Sequence, residues 1–153
     1  LKKIYNSLKI KKGIVFVNNT NTVEIITEKL NYHGIKSISL NGNMYSKDRR
    51  NALNNFRNSN HVFLVTSDIS SRGLDIENLE YVVNFDIPED TEIYIHRSGR
   101  TGRMNKKGFC INIALFKEIK LIKQHERKLK INIQEKEIYF GKIKNKNIKK
   151  SIK

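Results

Sequence analysis

The sequence is poor in the residues that cross-link or interrupt a chain. Its 153 residues include one cysteine, Cys110, and one proline, Pro88. A single thiol excludes an internal disulfide and a zinc site built from cysteines. Because Cys110 lies inside the apolar stretch from Gly108 to Leu115, we interpret it as a buried structural residue, which is consistent with a reducing compartment.

Long apolar runs are missing as well. No run approaches the ~20 residues that a membrane-spanning helix needs, and no signal peptide is visible. We therefore expect no membrane partner and an intracellular, cytoplasmic location. The chain begins at Leu1 instead of a methionine, so we expect a fragment of a longer protein. His33, His61 and His125 match no metal-ligand spacing, which predicts surface or core histidines and no metal site.

Acidic residues are scarce relative to basic ones. The chain has 15 Asp and Glu residues against 30 Lys and Arg residues, a net charge of +15. Such a surplus favours a polyanionic partner, with nucleic acid first because each Lys or Arg placed on a phosphate releases a counterion. An anionic membrane surface is the second candidate. Lys, Asn and Ile are abundant throughout, which is also typical of a composition bias, so the charge alone names no function.

Short apolar runs alternate with segments of helical period. The predicted strands are Ile14–Val17, Ile35–Leu40, His61–Thr66, Tyr81–Phe85 and Phe109–Leu115. The predicted helices start near Asn21 and end at Gly34, start at Ser46, and span Thr91–Arg97 and Lys117–Leu129. Strands separated by helices indicate an α/β fold with a mostly parallel sheet covered on both faces. Polar segments follow the strands, where such sheets bind ligands.

The end of the chain has a different composition. Residues 142–153 hold six lysines and no acidic or aromatic residue. We therefore expect one domain over residues 1–140, followed by a disordered basic tail or linker over residues 141–153. Tyr5, Tyr32 and Tyr139 are interpreted as packing residues.

Arginine and glycine are concentrated in one segment, His96–Arg103, which reads HRSGRTGR. The planar fork of arginine matches two phosphate oxygens at once, and glycine lets the backbone approach a ligand closely. The spacing of Arg97, Arg100 and Arg103 predicts that they share one side of a helical turn. We interpret the segment as a cluster that meets a triphosphate, where an inserted arginine typically contributes ~10³–10⁵ in rate.

A second polar segment, Thr66–Asp75, follows a predicted strand. Its hydroxyls and backbone amides could bind a phosphate, and Asp75 suits a ribose hydroxyl. Taken alone, the same residues are more typical of a turn with a helix cap than of a phosphate site.

These motifs resemble those of the C-terminal helicase domain of DEAD-box proteins, within helicase superfamily 2. The segment His96–Arg103 is similar to the family's HRxGRxxR motif, and Thr66–Asp75 is similar to its TDxxxRGxD motif. Three further segments of the chain resemble shorter elements of the family. They are Val83–Pro88, Leu40–Met44 followed by Arg49, and Val15–Asn18. The resemblance covers about residues 1–140 in the family's order. It implies a RecA-like three-layer αβα domain.

The resemblance also implies roles for single residues. The implied catalytic residues are Arg100, Arg103 and His96. The implied ATP-binding residues are Gly73, Asp75, Arg100 and Arg103. The implied RNA-binding residues are Asn18, Asn19, Gly42, Arg49, Thr66, Ser67, Asp68 and Arg72. Ser46, Asn19 and Thr20 depart from the family pattern, as does the extra Ser67 before Asp68, which leaves Thr66 and Ser67 as alternatives.

Two sequences that an ATP-driven helicase needs do not occur in this chain. It has no GxxxxGK[S/T] loop and no Asp-Glu-Ala-Asp sequence. The resemblance implies that ATP with Mg²⁺ is bound mainly by an N-terminal RecA-like domain, and we expect the isolated domain to be inactive. RNA is the implied partner, bound through its backbone. The alternatives are a DNA helicase domain of superfamily 2 and a stand-alone RNA-binding module without enzymatic activity.

Overall fold

A parallel β-sheet is the centre of the fold. The structure, a computed structural model, describes residues 1–71, 76, 79–102 and 107–146. The strands of the sheet are β1 Gly13–Val17, β2 Ser37–Leu40, β3 Phe63–Ser67, β4 Tyr81–Asn84 and β5 Phe109–Asn112. Their order is β2-β3-β1-β4-β5, and every neighbouring pair is parallel. The predicted α/β fold is confirmed.

Helices cover the sheet. They are α1 Lys2–Leu8, α2 Thr20–Tyr32, α3 Ser46–Asn58, α4 Asp68–Ser71, α5 Thr91–Ser98 and α6 Ile119–Leu129, with a 3₁₀ turn at Phe116–Glu118. Alternate residues of each central strand enter two separate cores, as the two-residue period of a strand requires. Val15 and Val17 of β1 pack with Val23 and Leu30 of α2. On the opposite face, Phe16 packs with Phe56 of α3.

Four predicted strands are shorter than expected at one end, and for β2 and β5 the structure gives a local reason. Ile35 is hydrogen-bonded to the last turn of α2 and not to the sheet, because its backbone N–H donates to the carbonyl of Leu30 at 2.9 Å. Gly34 has a φ of 74°, the left-handed conformation that ends a helix, as predicted. At the other end, β5 stops at Asn112, and the side chain of Leu115 is 61% exposed.

The expected tail is wrong over its first residues. Lys142–Asn145 form strand β7, which pairs antiparallel with β6, Lys136–Tyr139, and this hairpin contacts α1. Ile138 and Ile143 pair across the hairpin and are partly buried, which provides the apolar face that a stable hairpin needs. Tyr139 is 55% exposed and Tyr32 is 88% exposed, so neither is the packing residue that was expected. Residues 147–153 lie outside the described residues.

A set of polar side chains joins α5 to α6 and to the edge of the sheet. His125 is fully buried, accepts from or donates to the hydroxyl of Thr91 at 3.0 Å, and contacts the carbonyl of Pro88 at 2.8 Å. Its ring stacks on Tyr94 with 4.7 Å between centroids. The amide of Asn112 donates to the Tyr94 hydroxyl at 3.0 Å. His125 is thus a core histidine, as predicted.

The buried tyrosine predicts how stability depends on alkaline pH. Burial raises the pKa of Tyr94 to about 12, because the ionised oxygen would lose its hydration. The folded chain therefore holds this proton longer than the unfolded chain, so the stabilisation is complete below the ordinary tyrosine pKa and is lost as pH rises towards 12. Between about pH 9 and pH 11 the free energy of unfolding should fall by about 1 kcal/mol on account of Tyr94.

Urea unfolding at both pH values checks this. Tyr94→Phe should remove that part of the pH dependence, whereas Tyr45→Phe, at a residue that is 82% exposed, should retain it. Burial also raises the pKa of Cys110, so a smaller residual slope is expected in the Tyr94 variant. An alkaline slope that is unchanged by Tyr94→Phe would contradict the assignment.

Candidate functional site at the carboxyl edge of the sheet

One arginine of the HRSGRTGR segment lies inside the domain. Arg97, near the end of α5, is 1% exposed. Its Nε and one terminal nitrogen donate to the two carboxylate oxygens of Asp68 at 2.6 and 2.5 Å. The guanidinium also lies 5.1 Å from the ring centroid of Phe16, within the range of a cation–π contact. This bidentate ion pair joins α5 to α4, directly after β3.

The remaining donors of Arg97 reach the two neighbouring strands. One terminal nitrogen donates to the side chain of Asn84, at the end of β4, at 3.2 Å, and to the carbonyl of Asp86 at 2.9 Å. The other donates to the side-chain oxygen of Asn18, after β1, at 2.9 Å. The backbone N–H of Asn18 in turn donates to the carboxylate of Asp86 at 2.9 Å. The buried charge is therefore paired and hydrogen-bonded, as burial requires.

The helical-turn interpretation of the three arginines is thus wrong for Arg97. Helix α5 ends at Ser98, and Arg100 lies in the turn that follows. Arg97 points into the domain, whereas His96 is exposed and Arg100 is partly exposed. Arg103, the other predicted phosphate ligand, lies outside the described residues.

An open cavity lies beside these residues. It has a volume of about 250 Å³ and is lined by Phe16, Asp68, Ser71, Ile93, His96, Arg97 and Arg100. The charged groups of the lining include two arginines and one carboxylate, that of Asp68, which pairs with Arg97. The cavity can therefore accept an anionic group such as a phosphate.

The turn that carries Arg100 is held against the start of β4. The carbonyl of Arg100 accepts from the backbone N–H of Leu79 at 3.2 Å, and the hydroxyl of Thr101 donates to the carbonyl of Leu79. A Cβ atom on Gly108 would lie 2.0 Å from the Thr101 hydroxyl and 2.5 Å from the N–H of Gly102. Only glycine fits at position 108. Sequence analysis missed this role, although an isolated glycine before a strand is a known signal of close backbone approach.

The predicted RNA residues after β2 and β3 come together. Gly42, in the turn after β2, faces α4, and a Cβ atom there would lie 3.4 Å from the hydroxyl of Ser70. Arg49 of α3 donates to the carbonyl of Ser70. Ser67, the last residue of β3, lies 3.0 Å from the Ser70 hydroxyl and 3.4 Å from that of Thr20. Gly42, Arg49 and Ser67 therefore lie in one region, in which the side chain of Ser67 is only 2% exposed.

Thr66 does not join that region. It is fully buried within β3, and its hydroxyl donates to the carbonyl of Leu40 at 3.1 Å. Successive side chains of a strand point to opposite faces, so Thr66 and Ser67 cannot serve the same ligand. Ser67, itself only 2% exposed, is the one of the two on the side of Ser70 and Thr20, and the choice between Thr66 and Ser67 as an RNA contact stays a prediction.

Three other predicted RNA residues make contacts inside the domain. The side chains of Asn18 and Asp68 are hydrogen-bonded to Arg97. The side-chain oxygen of Asn19 accepts from the N–H of Asn21 at 2.9 Å and caps α2. These side chains order the carboxyl edge of the sheet. Arg72, Gly73 and Asp75 lie outside the described residues.

Asn41, next to Gly42, was not among the predicted site residues. Its amide donates to Glu24 at 2.7 Å, but its buried side-chain oxygen has no hydrogen-bond partner among the described residues. A second cavity of about 290 Å³ adjoins it, lined by Thr20, Asn21, Glu24, Asn41, Asn43 and Met44. An unpaired buried acceptor costs about 1–3 kcal/mol, so this oxygen is suited to accept a hydrogen bond from a ligand.

Metal-binding clusters and membrane-spanning helices are both absent from the described ranges. Among the residues that the structure describes, no three His, Cys, Asp or Glu side chains are grouped to hold a metal ion. No helix in those ranges is long and apolar enough to cross a bilayer.

The geometry agrees with that of known proteins. The family of the helicase conserved C-terminal domain matches residues 1–105. Eukaryotic initiation factor 4A of Dictyostelium discoideum is 34% identical over 140 residues, which are 92% of this chain and 35% of that protein. The ATP-dependent RNA helicase FAL1 of Vanderwaltozyma polyspora is 34% identical over 130 residues, 85% of this chain and 33% of that protein. The chain thus spans about a third of the length of these curated relatives.

Solved structures agree with these relatives. The DEAD-box protein SrmB of E. coli, bound to the regulator of ribonuclease activity A, superimposes with a TM-score of 0.80 at 29% identity, over 85% of this chain and 76% of that one. The C-terminal domain of the DEAD-box protein Dbp5 gives a TM-score of 0.76 at 28% identity, over 83% and 74%. The chain belongs to the helicase conserved C-terminal domain family, in the form that DEAD-box RNA helicases carry.

Proposed function

We propose that the whole protein is an ATP-dependent RNA helicase in which this domain supplies phosphate-contacting arginines and one side of the RNA cleft. The observation that carries the proposal is the division of the arginine motif at one open cavity: Arg97 is 1% exposed and its donors are bound inside the domain, whereas His96 is exposed and Arg100 is partly exposed. An intracellular, cytoplasmic location accompanies this proposal, supported by the likeness to a eukaryotic initiation factor.

The charge of the cavity supports a role beside the nucleotide. ATP, bound with Mg²⁺ mainly by an N-terminal RecA-like domain, supplies the phosphoryl group that is transferred to water. Arg100, together with Arg103, would stabilise the charge that develops on the γ-phosphate. His96 is exposed next to Arg100 and would contact the partner domain. Asp75 and Gly73 are proposed to hold the ribose and its neighbouring phosphate.

The region around Gly42 supports a role beside RNA. Arg49 is proposed to donate to sugar and phosphate oxygens, with Ser67, only 2% exposed, beside it, which predicts binding that is largely independent of base sequence. The unpaired oxygen of Asn41 could accept a hydrogen bond from a ribose 2′-hydroxyl, a group that DNA lacks. Arg72 is proposed as a further phosphate contact.

ATP hydrolysis by the full-length protein tests the function. It should be measured without nucleic acid, with single-stranded RNA, and with DNA of matched sequence. Strong stimulation by RNA alone is expected. Equal stimulation by DNA would favour a DNA helicase of superfamily 2, and no hydrolysis under any condition would favour a stand-alone RNA-binding module.

Arg100→Ala in the full-length protein should lower the rate of RNA-stimulated ATP hydrolysis by about 10³-fold or more, because a cation at the transferring phosphate is lost. RNA affinity measured without nucleotide should stay within about twofold of the parent, since Arg100 lies outside the Gly42 region. Arg127→Ala, at an exposed residue of α6, is the matched control and should hydrolyse ATP normally. Normal turnover by the Arg100 variant would refute its role.

Asp68→Asn tests the buried ion pair. Removing one partner of a buried pair leaves the other charge uncompensated, so the free energy of unfolding should fall by about 3 kcal/mol in urea titrations. Glu135→Gln breaks the ion pair of Glu135 with Lys146, whose side chains are 60% and 51% exposed, and should cost less than about 1 kcal/mol. Similar losses in the two variants would contradict the importance assigned to Arg97.

A further inference from the structure

The hairpin β6–β7 carries an exposed aromatic pair at its turn. Tyr139 is 55% exposed and Phe140 is 87% exposed, and their rings meet edge to face with 4.6 Å between centroids. Two neighbouring apolar rings in water are unfavourable for an isolated domain, since the same atoms would be more stable against a partner.

The backbone at this turn is also unusual. Phe140 has a φ of 45° and Gly141 a φ of 70°, so both central residues of the two-residue turn are left-handed, as in a type I′ turn. Asn and Gly favour this conformation, whereas a bulky residue such as Phe is an outlier there. The chain therefore holds an aromatic ring at a position where asparagine would be more stable, which indicates a use for the ring.

Lysines surround the rings on the solvent side. The cross-strand pairs Glu137–Lys144 and Tyr139–Lys142 place these four residues on the face opposite Ile138 and Ile143. The Lys144 nitrogen lies 5.2 Å from the ring centroid of Tyr139, over one of its two faces. Glu137 offsets one charge and Glu135 pairs with Lys146, whereas the sequence from residue 141 to residue 153 contains six lysines and no acid.

We propose that this hairpin is a second binding surface for single-stranded RNA, separate from the cleft. Bases would stack on Tyr139 and Phe140 while Lys142 and Lys144 neutralise the phosphates between them, the combination that proteins use for unstructured strands. The charge complementarity favours a polyanion, and the flat rings favour one with exposed bases over a lipid surface or an acidic protein.

The position of the hairpin makes the surface independent of the cleft. The hairpin contacts α1, and Tyr5 of α1 packs edge to face on Phe63, the first residue of β3. It therefore lies towards the amino edge of the sheet, whereas Gly42, Arg49 and Arg100 follow the carboxyl ends of strands. The two surfaces can be tested separately.

A stacking probe gives a direct test, because the chain has no tryptophan. In the 153-residue chain, Tyr139→Trp introduces one indole at the hairpin, and Phe116→Trp introduces one at a ring that is 92% exposed in the 3₁₀ turn. Titration with a uridine oligomer of about 20 nucleotides should quench the first emission and leave the second unchanged. Equal quenching of both would indicate general polyelectrolyte binding and overturn the proposal.

Substitution at the turn separates binding from folding. Phe140→Asn should leave the urea midpoint unchanged or raise it, because asparagine suits the left-handed turn, and it should weaken binding of the oligomer about tenfold. Lys142→Gln with Lys144→Gln should lower the slope of log affinity against log salt by about one unit. Lys117→Gln with Lys120→Gln, at exposed positions elsewhere, should change neither quantity.

Two further measurements identify the partner and distinguish the hairpin from the cleft. Arg49→Gln should leave the RNA-induced quenching of the Tyr139→Trp emission intact. The proposal for the cleft and the proposal for the hairpin can therefore fail independently of each other. Unchanged affinity in the Phe140 variant, together with loss of all binding in the Arg49 variant, would overturn the proposal. A stronger emission response to phosphatidylserine vesicles than to RNA would also overturn it, in favour of a membrane surface.

Discussion

The buried guanidinium of Arg97 is the interaction on which the site depends. A charge that is 1% exposed can persist only if its donors are satisfied, and here they are satisfied by groups after three different strands. Asp68, Asn84 and Asn18 must converge on one point for this to happen. The carboxyl edges of β3, β4 and β1 are thereby held in register with α5, and the geometry of the edge follows from one side chain.

The same side-chain type serves two purposes within four residues. Arg97 uses its fixed fork to join parts of the domain, whereas Arg100, after the end of α5, is partly exposed at the cavity that both side chains line. Lysine could not replace Arg97, because a single ammonium cannot bind a carboxylate bidentately and reach two further acceptors in one plane. Burial therefore decides which arginine of the motif is available to a ligand, and the close approach of Gly108 to Thr101 helps to place that arginine.

Local patterns were sufficient to predict the strands and the composition of the site, but not the direction of its side chains. The period of apolar residues located all five strands of the sheet, with errors only at the ends. The direction of Arg97 depends on where α5 ends, and that of Thr66 on the register of β3, so neither follows from spacing along the chain. The hairpin escaped prediction because Ile138 and Ile143 are its only half-buried pair, too weak a period to stand out from the lysines around them.

Basic residues of this chain, whose net charge is +15, contribute to two surfaces of different chemistry, the cleft and the hairpin β6–β7. The cleft offers arginine, hydroxyl and amide groups at the ends of strands, where binding can be coupled to closure around a nucleotide. The hairpin offers lysines and open rings on a separate element, where binding has no such coupling. A strand held at the hairpin would remain near the cleft through each opening, because tethering raises its effective concentration there. If both proposals hold, the hairpin affects how long RNA stays with the protein, while the cleft determines how RNA binding responds to ATP.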